Sequence, residues 1–182
     1  HRGYASVSGF ETTISNMATL VHRGLTVHSI GELPEVGSKL PGFVLTSTGM
    51  TDDLGPDVAV GKRLVLNIFP SIDTGVCAMS VRRFNELAAG LPDAVVLCVS
   101  NDLPMAQARF CGAEGIDNVV TGSGFRSSFG DDFGVTLLDG PMRTLLSRAV
   151  VVADADGTIT YTQQVPNISE EPDYAAALAA LA

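Results

Sequence analysis

The sequence has no tryptophan, only three cysteines, and far fewer basic than acidic residues. Its 11 Lys and Arg against 20 Asp and Glu leave a net charge of −9, which disfavours nucleic acid and anionic membranes as partners because both attract basic surfaces. No apolar run approaches the roughly 20 residues that a membrane-spanning helix requires. The three cysteines match neither a zinc-binding spacing nor the disulfide framework of a small secreted protein, so we expect a reducing cytoplasm.

The rest of the composition is that of a folded protein. Hydrophobic residues make up 46% of the chain and charged residues 17%, and 182 residues suffice for one domain with a sizeable core. Residues 1–16 differ in character from the rest and contain no apolar segment of the secretory type. We therefore expect residues 1–16 to be a disordered leader or expression remnant and residues 17–182 to form a single domain.

Apolar residues recur with strand and helix periods along the chain. The resulting prediction, in chain order, is a β-hairpin at 19–30, a short strand at 42–46, a buried strand at 64–69, a helix from Cys77 closed by Gly90 and Pro92, a buried strand at 94–100, a helix at 103–111 ended by Gly112, a weak strand at 119–121, a helix or loop at 124–133, strands at 149–153 and 158–164, and a helix over 172–182. Strands alternating with helices, then an antiparallel hairpin and a last helix, predict an α/β fold with a mixed central sheet flanked by helices. This order matches the thioredoxin-like topology, here with an N-terminal β-hairpin.

The most informative stretch is NIFPSIDTGVC, which ends at Cys77. It predicts the end of a buried strand, a turn at Pro70, and a cysteine entering a helix with Thr74 as its N-cap. The first turn of a helix offers unpaired N–H groups and a partial positive charge, and both favour the nucleophilic thiolate. We expect the Thr74 hydroxyl to donate to the sulfur or to a bound substrate oxygen, and Pro70 to fix the backbone and shield the thiolate from water.

Thr74 occupies the position that carries the first cysteine of a C-x-x-C motif in thioredoxin-like redox proteins. Cys77 therefore has no immediate resolving neighbour, but its thiolate can attack an O–O bond and hold the product as a sulfenic acid. Two alternatives stay open. A thiol–disulfide oxidoreductase of the same fold would be expected to carry C-x-x-C, and a non-catalytic thioredoxin-like binding module would tolerate loss of these residues.

Arg148 immediately precedes the apolar run AVVV, so it enters a buried strand and needs a partner for its charge. It is our candidate for a second positive group beside Cys77, and a salt bridge to an acidic neighbour is the alternative. Cys111 lies at a predicted helix end next to glycine, where it is either a small buried residue or a redox partner released by fraying. Cys98 has only apolar neighbours, which predicts an inert thiol.

Neither a metal site nor a cofactor site is predicted. His22 and His28 lie on the predicted hairpin without a cluster of cysteines or carboxylates near them in the sequence.

Several motifs together resemble a known family, the bacterial thiol peroxidases, which are atypical two-cysteine peroxiredoxins. The resemblance covers about residues 17–182, and its motifs are LNIFPSIDTGVCA, VVLCVSNDLPMAQARFCGAEG, DGP at 139–141, RAVVV from Arg148, and EPDYAAAL. It implies that Cys77 is the peroxidatic cysteine and Cys111 the resolving one, joined in an intrachain disulfide. It also implies that Thr74, Pro70 and Arg148 complete the peroxide-binding site and that Cys98 is dispensable.

The same resemblance implies the reaction and its partners. The expected substrates are hydrogen peroxide and organic hydroperoxides, thioredoxin is the expected electron donor, and a homodimer is the expected assembly.

Overall fold

A computed structural model describes residues 17–182, and the leader predicted for residues 1–16 lies outside the described residues. The strands are β1 (Ala18–His22), β2 (Leu25–Ser29), β3 (Leu45–Ser47), β4 (Asp53–Leu54), β5 (Arg63–Ile68), β6 (Ala94–Ser100), β7 (Val120–Ser123), β8 (Ala149–Ala153) and β9 (Ile159–Gln164). The helices are α1 (Gly75–Ala88), α2 (Pro104–Glu114), α3 (Phe129–Asp132) and α4 (Tyr174–Ala179), with a short 3-10 turn at Pro56–Ala59. No helix within residues 17–182 is long and apolar enough to cross a membrane.

A seven-stranded sheet in the order β4-β3-β7-β6-β5-β8-β9 forms the centre of the fold. Its three middle strands, β7, β6 and β5, are parallel, whereas β8 and β9 on one side and β3 and β4 on the other are antiparallel. The predicted mixed sheet is therefore confirmed. The run β6-β5-β8-β9 of this sheet is the parallel pair β5–β6 extended by the antiparallel hairpin β8–β9, in the predicted order.

Both faces of the central strands are covered, as the nearly continuous apolar run of β5 predicts. Leu64, Leu66 and Ile68 lie in one hydrophobic cluster together with Phe129 of α3. Side chains that point to the opposite face of the sheet, such as Val65 and Val96, enter a second cluster, which α1, α2 and α4 cover. Alternation along each strand thus divides the core into two layers, with Cys77 in the second layer.

Several predicted boundaries are wrong by a few residues. Helix α2 continues through Gly112 and ends at Gly115, whose left-handed φ of 64° terminates it, because one helical glycine costs only about 1 kcal/mol. The terminal helix is confined to Tyr174–Ala179, since the Asp173 carboxylate accepts a hydrogen bond from the backbone N–H of Ala176 and caps it there. The strand predicted at 42–46 lies at Leu45–Ser47.

The predicted N-terminal hairpin is confirmed and forms a separate two-stranded sheet. The β1–β2 pair is antiparallel, and Val21 exchanges backbone hydrogen bonds of 2.8 and 2.9 Å with Pro166 and Ile168. On its other strand, His28 donates its backbone N–H to the Asp139 carboxylate at 2.7 Å. The hairpin is thereby joined to the segments after β9 and before β8.

Candidate active site

Cys77 is the third residue of α1, behind the extended N-cap Thr74 as predicted. Its side chain is fully buried, in the hydrophobic layer that α1 shares with the sheet. The first N–H groups of a helix have no partner within the helix, and they surround a residue at this position. The sulfur therefore lies at the electropositive end of α1.

Arg148 supplies a full positive charge at the same sulfur. Its Nη2 donates to Cys77 Sγ at 3.1 Å, and its Nε donates to the carbonyl oxygen of Ile168 at 2.8 Å. The side chain is only 2% exposed, and Nη1 is buried without a hydrogen-bond partner among residues 17–182. Within these residues the partners of the guanidinium are a sulfur and a carbonyl, so the salt bridge considered as an alternative does not form.

The anchoring of Arg148 depends on the N-terminal hairpin. The carbonyl of Ile168 accepts from Arg148, while its N–H donates to the carbonyl of Val21 in β1. A hydrogen-bonded path thus runs from the hairpin to the guanidinium and on to the sulfur. Sequence patterning predicts the hairpin but carries no signal that it supports Arg148.

A cavity of about 200 Å³ opens beside Cys77. It brings together four of the five predicted site residues, Pro70, Thr74, Cys77 and Arg148. Its remaining walls come from Gly75 and Val76 of α1, from the hairpin, and from loops, namely His22, Arg23, Met142, Ile168 and Ser169. Those hairpin and loop residues are not indicated by the sequence, because they meet only through tertiary packing.

The Thr74 hydroxyl differs from its predicted role. It donates to the carbonyl oxygen of Ser71 at 2.8 Å rather than to the sulfur. Because a hydroxyl has one proton, this bond leaves its lone pairs as the groups that Thr74 can present to the cavity. Thr74 is therefore arranged as a hydrogen-bond acceptor for an incoming O–H group.

Cys111, the fifth predicted residue, lies elsewhere. It is half-buried in the last turn of α2, with Sγ 3.5 Å from the Thr121 hydroxyl, and it borders a separate cavity of about 280 Å³. Both Cys77 and Cys111 are free thiols that border different cavities. The structure therefore shows the dithiol form of this pair, and a bond between the two sulfurs would need Cα atoms within about 7 Å.

Cys98 is fully buried in β6, as its apolar neighbours predict. Burial raises the pKa of its thiol to about 12, although a hydrogen bond from Asn67 Nδ2 at 3.6 Å acts in the opposite direction. This thiol stays protonated at neutral pH and is a poor nucleophile.

The two hairpin histidines have separate environments. His28 Nδ1 pairs with Asp139 Oδ2 at 2.7 Å, and this contact lowers the pKa of the Asp139 carboxyl. His22 is buried at the wall of the Cys77 cavity.

Comparison with known proteins gives this geometry a family. The Redoxin family matches residues 35–178. A thiol peroxidase of Mycobacterium tuberculosis is 57% identical over 165 residues, which cover 91% of this chain and 99% of that protein. This chain belongs to the thiol peroxidases of the Redoxin family. The resemblance drawn from the sequence motifs is confirmed.

Two further relatives support the same assignment. A thiol peroxidase of Corynebacterium glutamicum is 53% identical, again over 91% of this chain and 99% of that protein. The crystal structure of a peroxiredoxin-like protein from Aquifex aeolicus superposes with a TM-score of 0.84 and 35% identity, covering 90% of this chain and 96% of that one. The chain is thus a thiol-dependent peroxidase with the thioredoxin-like fold of the peroxiredoxins.

Proposed function

We propose that this thiol peroxidase reduces hydrogen peroxide and organic hydroperoxides with Cys77 as the peroxidatic residue. The Cys77 thiolate attacks the terminal oxygen of the hydroperoxide, so that an S–O bond forms while the O–O bond breaks. The departing oxygen takes up a proton and leaves as water or an alcohol, and Cys77 is oxidised to a sulfenic acid.

The observation that carries this proposal is the 3.1 Å contact between Arg148 Nη2 and Cys77 Sγ at the start of α1. A buried guanidinium next to a sulfur stabilises the anionic nucleophile. Its Nη1 donor, unpartnered among the described residues, is available for the oxygen on which negative charge develops as the O–O bond breaks.

Thr74, Pro70 and the first turn of α1 complete the proposed peroxide site. The Thr74 lone pairs accept the O–H of the hydroperoxide, which directs the terminal oxygen toward the sulfur. The N–H groups of Val76 and Cys77 add donors for the transition state. Pro70 walls the cavity and limits the access of water.

Cys111 is proposed to resolve the sulfenic acid. Its thiol attacks Cys77, an S–S bond forms, and the sulfenic oxygen leaves as water. Because the two thiols border different cavities, this step follows local opening of the α1 start and of the last turn of α2. Thioredoxin then reduces the Cys77–Cys111 disulfide by thiol exchange in the cytoplasm, and thioredoxin is itself oxidised.

We also propose that residues 17–182 act as a single domain and assemble as a homodimer. Two large apolar side chains, Leu103 and Phe125, are 50% and 40% exposed, and contact with a second subunit would cover them. They lie close in the chain to Asp102 and Ser123, which are joined by the hydrogen bond from Ser123 Oγ to the Asp102 carbonyl. Multi-angle light scattering should give twice the chain mass. A monomer at micromolar concentration would contradict the dimer without affecting the chemistry.

A coupled assay tests the catalytic proposal. NADPH, thioredoxin reductase and thioredoxin are mixed with the enzyme, and NADPH oxidation is followed after addition of hydroperoxide. We expect NADPH consumption in proportion to peroxide, its loss in Cys77→Ser, and its retention in the matched control Cys98→Ala. Peptide mapping after one equivalent of peroxide should find Cys77 bonded to Cys111, and a disulfide that contains Cys98 would contradict the resolving role.

A further inference from the structure

The Asp102 carboxylate lies two residues before Pro104 of α2 and accepts three hydrogen bonds. Donors are the Ser71 hydroxyl at 2.7 Å, the Ile72 backbone N–H at 2.7 Å, and the Ser100 hydroxyl at 2.5 Å. Two of the three come from the turn at 70–74, which leads into α1. A carboxylate with such short contacts makes strong, charge-assisted hydrogen bonds. Asp102 therefore attaches the turn before Cys77 to the start of the helix that carries Cys111.

Ser71 transmits this attachment to the active site. Its hydroxyl donates to Asp102, while its carbonyl oxygen accepts both the Thr74 backbone N–H at 3.2 Å and the Thr74 hydroxyl at 2.8 Å. The Asp73 N–H also donates to the Ser71 hydroxyl at 3.2 Å. The position and the hydrogen-bonding role of Thr74 thus depend on Ser71, which Asp102 holds.

Asp102 is itself fixed from the sheet side. The Ser123 hydroxyl donates to its carbonyl oxygen, and Gln107 Nε2 donates to the Ser100 hydroxyl at 3.0 Å and to the Gly122 carbonyl at 3.1 Å. Gln107 is fully buried in α2. Asp102 is thus held at its carboxylate by Ser100 of β6, at its backbone carbonyl by Ser123 of β7, and through Ser100 by α2, whereas the turn that it binds is a loop.

We infer that Asp102 is a positioning residue with opposite effects on the two halves of the catalytic cycle. While the hydrogen bonds of Asp102 are formed, they hold Thr74 and the start of α1 in the arrangement in which Cys77 attacks peroxide. They must break before Cys77 can move toward Cys111, because they join the turn to the start of α2. This inference rests on the proposed Cys77–Cys111 disulfide, and it makes Asp102 a determinant of how long the sulfenic acid persists.

Asp102→Asn tests this inference with little change in shape. The amide has one acceptor oxygen and an NH₂ group, so it cannot accept from all three donors. Rapid-mixing experiments on the full chain would measure sulfenic acid formation with hydrogen peroxide and then disulfide formation from the sulfenic acid. We expect the first step to slow by about tenfold and the second to accelerate by about tenfold, as expected for loss of one charge-assisted hydrogen bond. Oxidation of Cys77 beyond the sulfenic acid at excess peroxide should decrease.

Two further variants keep the test decisive. Ser71→Ala removes one donor and should shift both steps in the same directions by a smaller factor, which covers the case that Asp102→Asn fails to fold. Asp93→Asn is the matched control, because Asp93 is an exposed carboxylate immediately before the first residue of β6, and it should leave both rates unchanged.

Unchanged rates in Asp102→Asn and Ser71→Ala, or equal slowing of both steps, would overturn the inference. Should the wild type form a disulfide with Cys98 instead, the proposed resolving role fails, while the first step still reports on Asp102.

Discussion

Replacement of Arg148 by glutamine should remove most of the peroxidase activity. The guanidinium makes a 3.1 Å charge-assisted contact to the Cys77 sulfur, and such hydrogen bonds contribute about 1.5–3 kcal/mol. Loss of one positioned donor at a site of developing charge removes about 2.7–4 kcal/mol of transition-state stabilisation. Since each 1.4 kcal/mol or so is tenfold in rate, kcat/KM for peroxide should fall by about 10²–10³.

Arg148→Lys separates charge from geometry. Lysine keeps the positive charge, but its single nitrogen cannot reproduce the planar fork that contacts both Cys77 Sγ and the Ile168 carbonyl. We expect kcat/KM for peroxide to fall by about tenfold, an intermediate loss.

Single-turnover stopped flow of reduced enzyme with hydrogen peroxide measures these rates without thioredoxin. Arg83→Gln is the matched control, because Arg83 lies on α1 with its side chain 50% exposed and pairs with Glu86 at 3.2 Å. Thermal unfolding of each variant checks that the fold is intact. A rate for Arg148→Gln within threefold of wild type, in a folded protein, would refute the role assigned to the guanidinium.

Three other predictions concern the cavity, the buried thiol and the fold. Thr74→Val should lower kcat/KM by up to about tenfold in the same stopped-flow assay, because the hydroxyl that accepts from the hydroperoxide is lost. Thr74→Ser keeps this hydroxyl and should stay near wild type. Equal rates in the two variants would contradict the role of Thr74 as a hydrogen-bond acceptor. Native Cys98 keeps its proton up to a pKa of about 12, whereas the thiol of the unfolded chain ionises near its ordinary pKa of about 9. The free energy of unfolding should therefore be unaffected by this thiol below about pH 9 and should fall above it by about 1.4 kcal/mol per pH unit. Urea unfolding with reductant between pH 8 and pH 10 should show a steeper loss of stability in wild type than in Cys98→Ala, and parallel curves would contradict this. Gly134→Ala should cost more than about 2 kcal/mol in urea unfolding, because φ is +72° and a Cβ atom would collide with the Glu32 carbonyl oxygen. Gly157→Ala, with φ of +85° and open space around a Cβ atom, should cost about 1 kcal/mol.

Much of the fold is predictable because its signals are local. The apolar run of β5 requires burial on both faces, and the helical spacing of Val81 and Phe84 requires a helix packed on one side. Both side chains are buried in the layer beneath α1. The position of Cys77 at the start of that helix is predictable because threonine is a favoured N-cap residue, although the Thr74 hydroxyl bonds the Ser71 carbonyl and does not cap the helix.

Other features depend on contacts that a sequence does not record. Glycine is a common helix terminus, which is why the sequence predicts an end at Gly112, yet α2 continues to the left-handed turn at Gly115. The Thr74 hydroxyl is directed to Ser71 by the geometry of a four-residue turn, which no pattern specifies. The support of Arg148 by Ile168 joins segments that lie far apart in the chain, so only the folded structure identifies it.

The central claim, that Cys77 is the sulfur oxidised by peroxide, can be tested most directly by trapping the sulfenic acid. In Cys111→Ser the proposed resolving thiol is absent, so one equivalent of hydrogen peroxide followed by dimedone should label a single cysteine. Mass spectrometry of the digested protein should place the adduct on Cys77. An adduct on Cys98, or peroxide consumed with Cys77 unmodified, would contradict the mechanism.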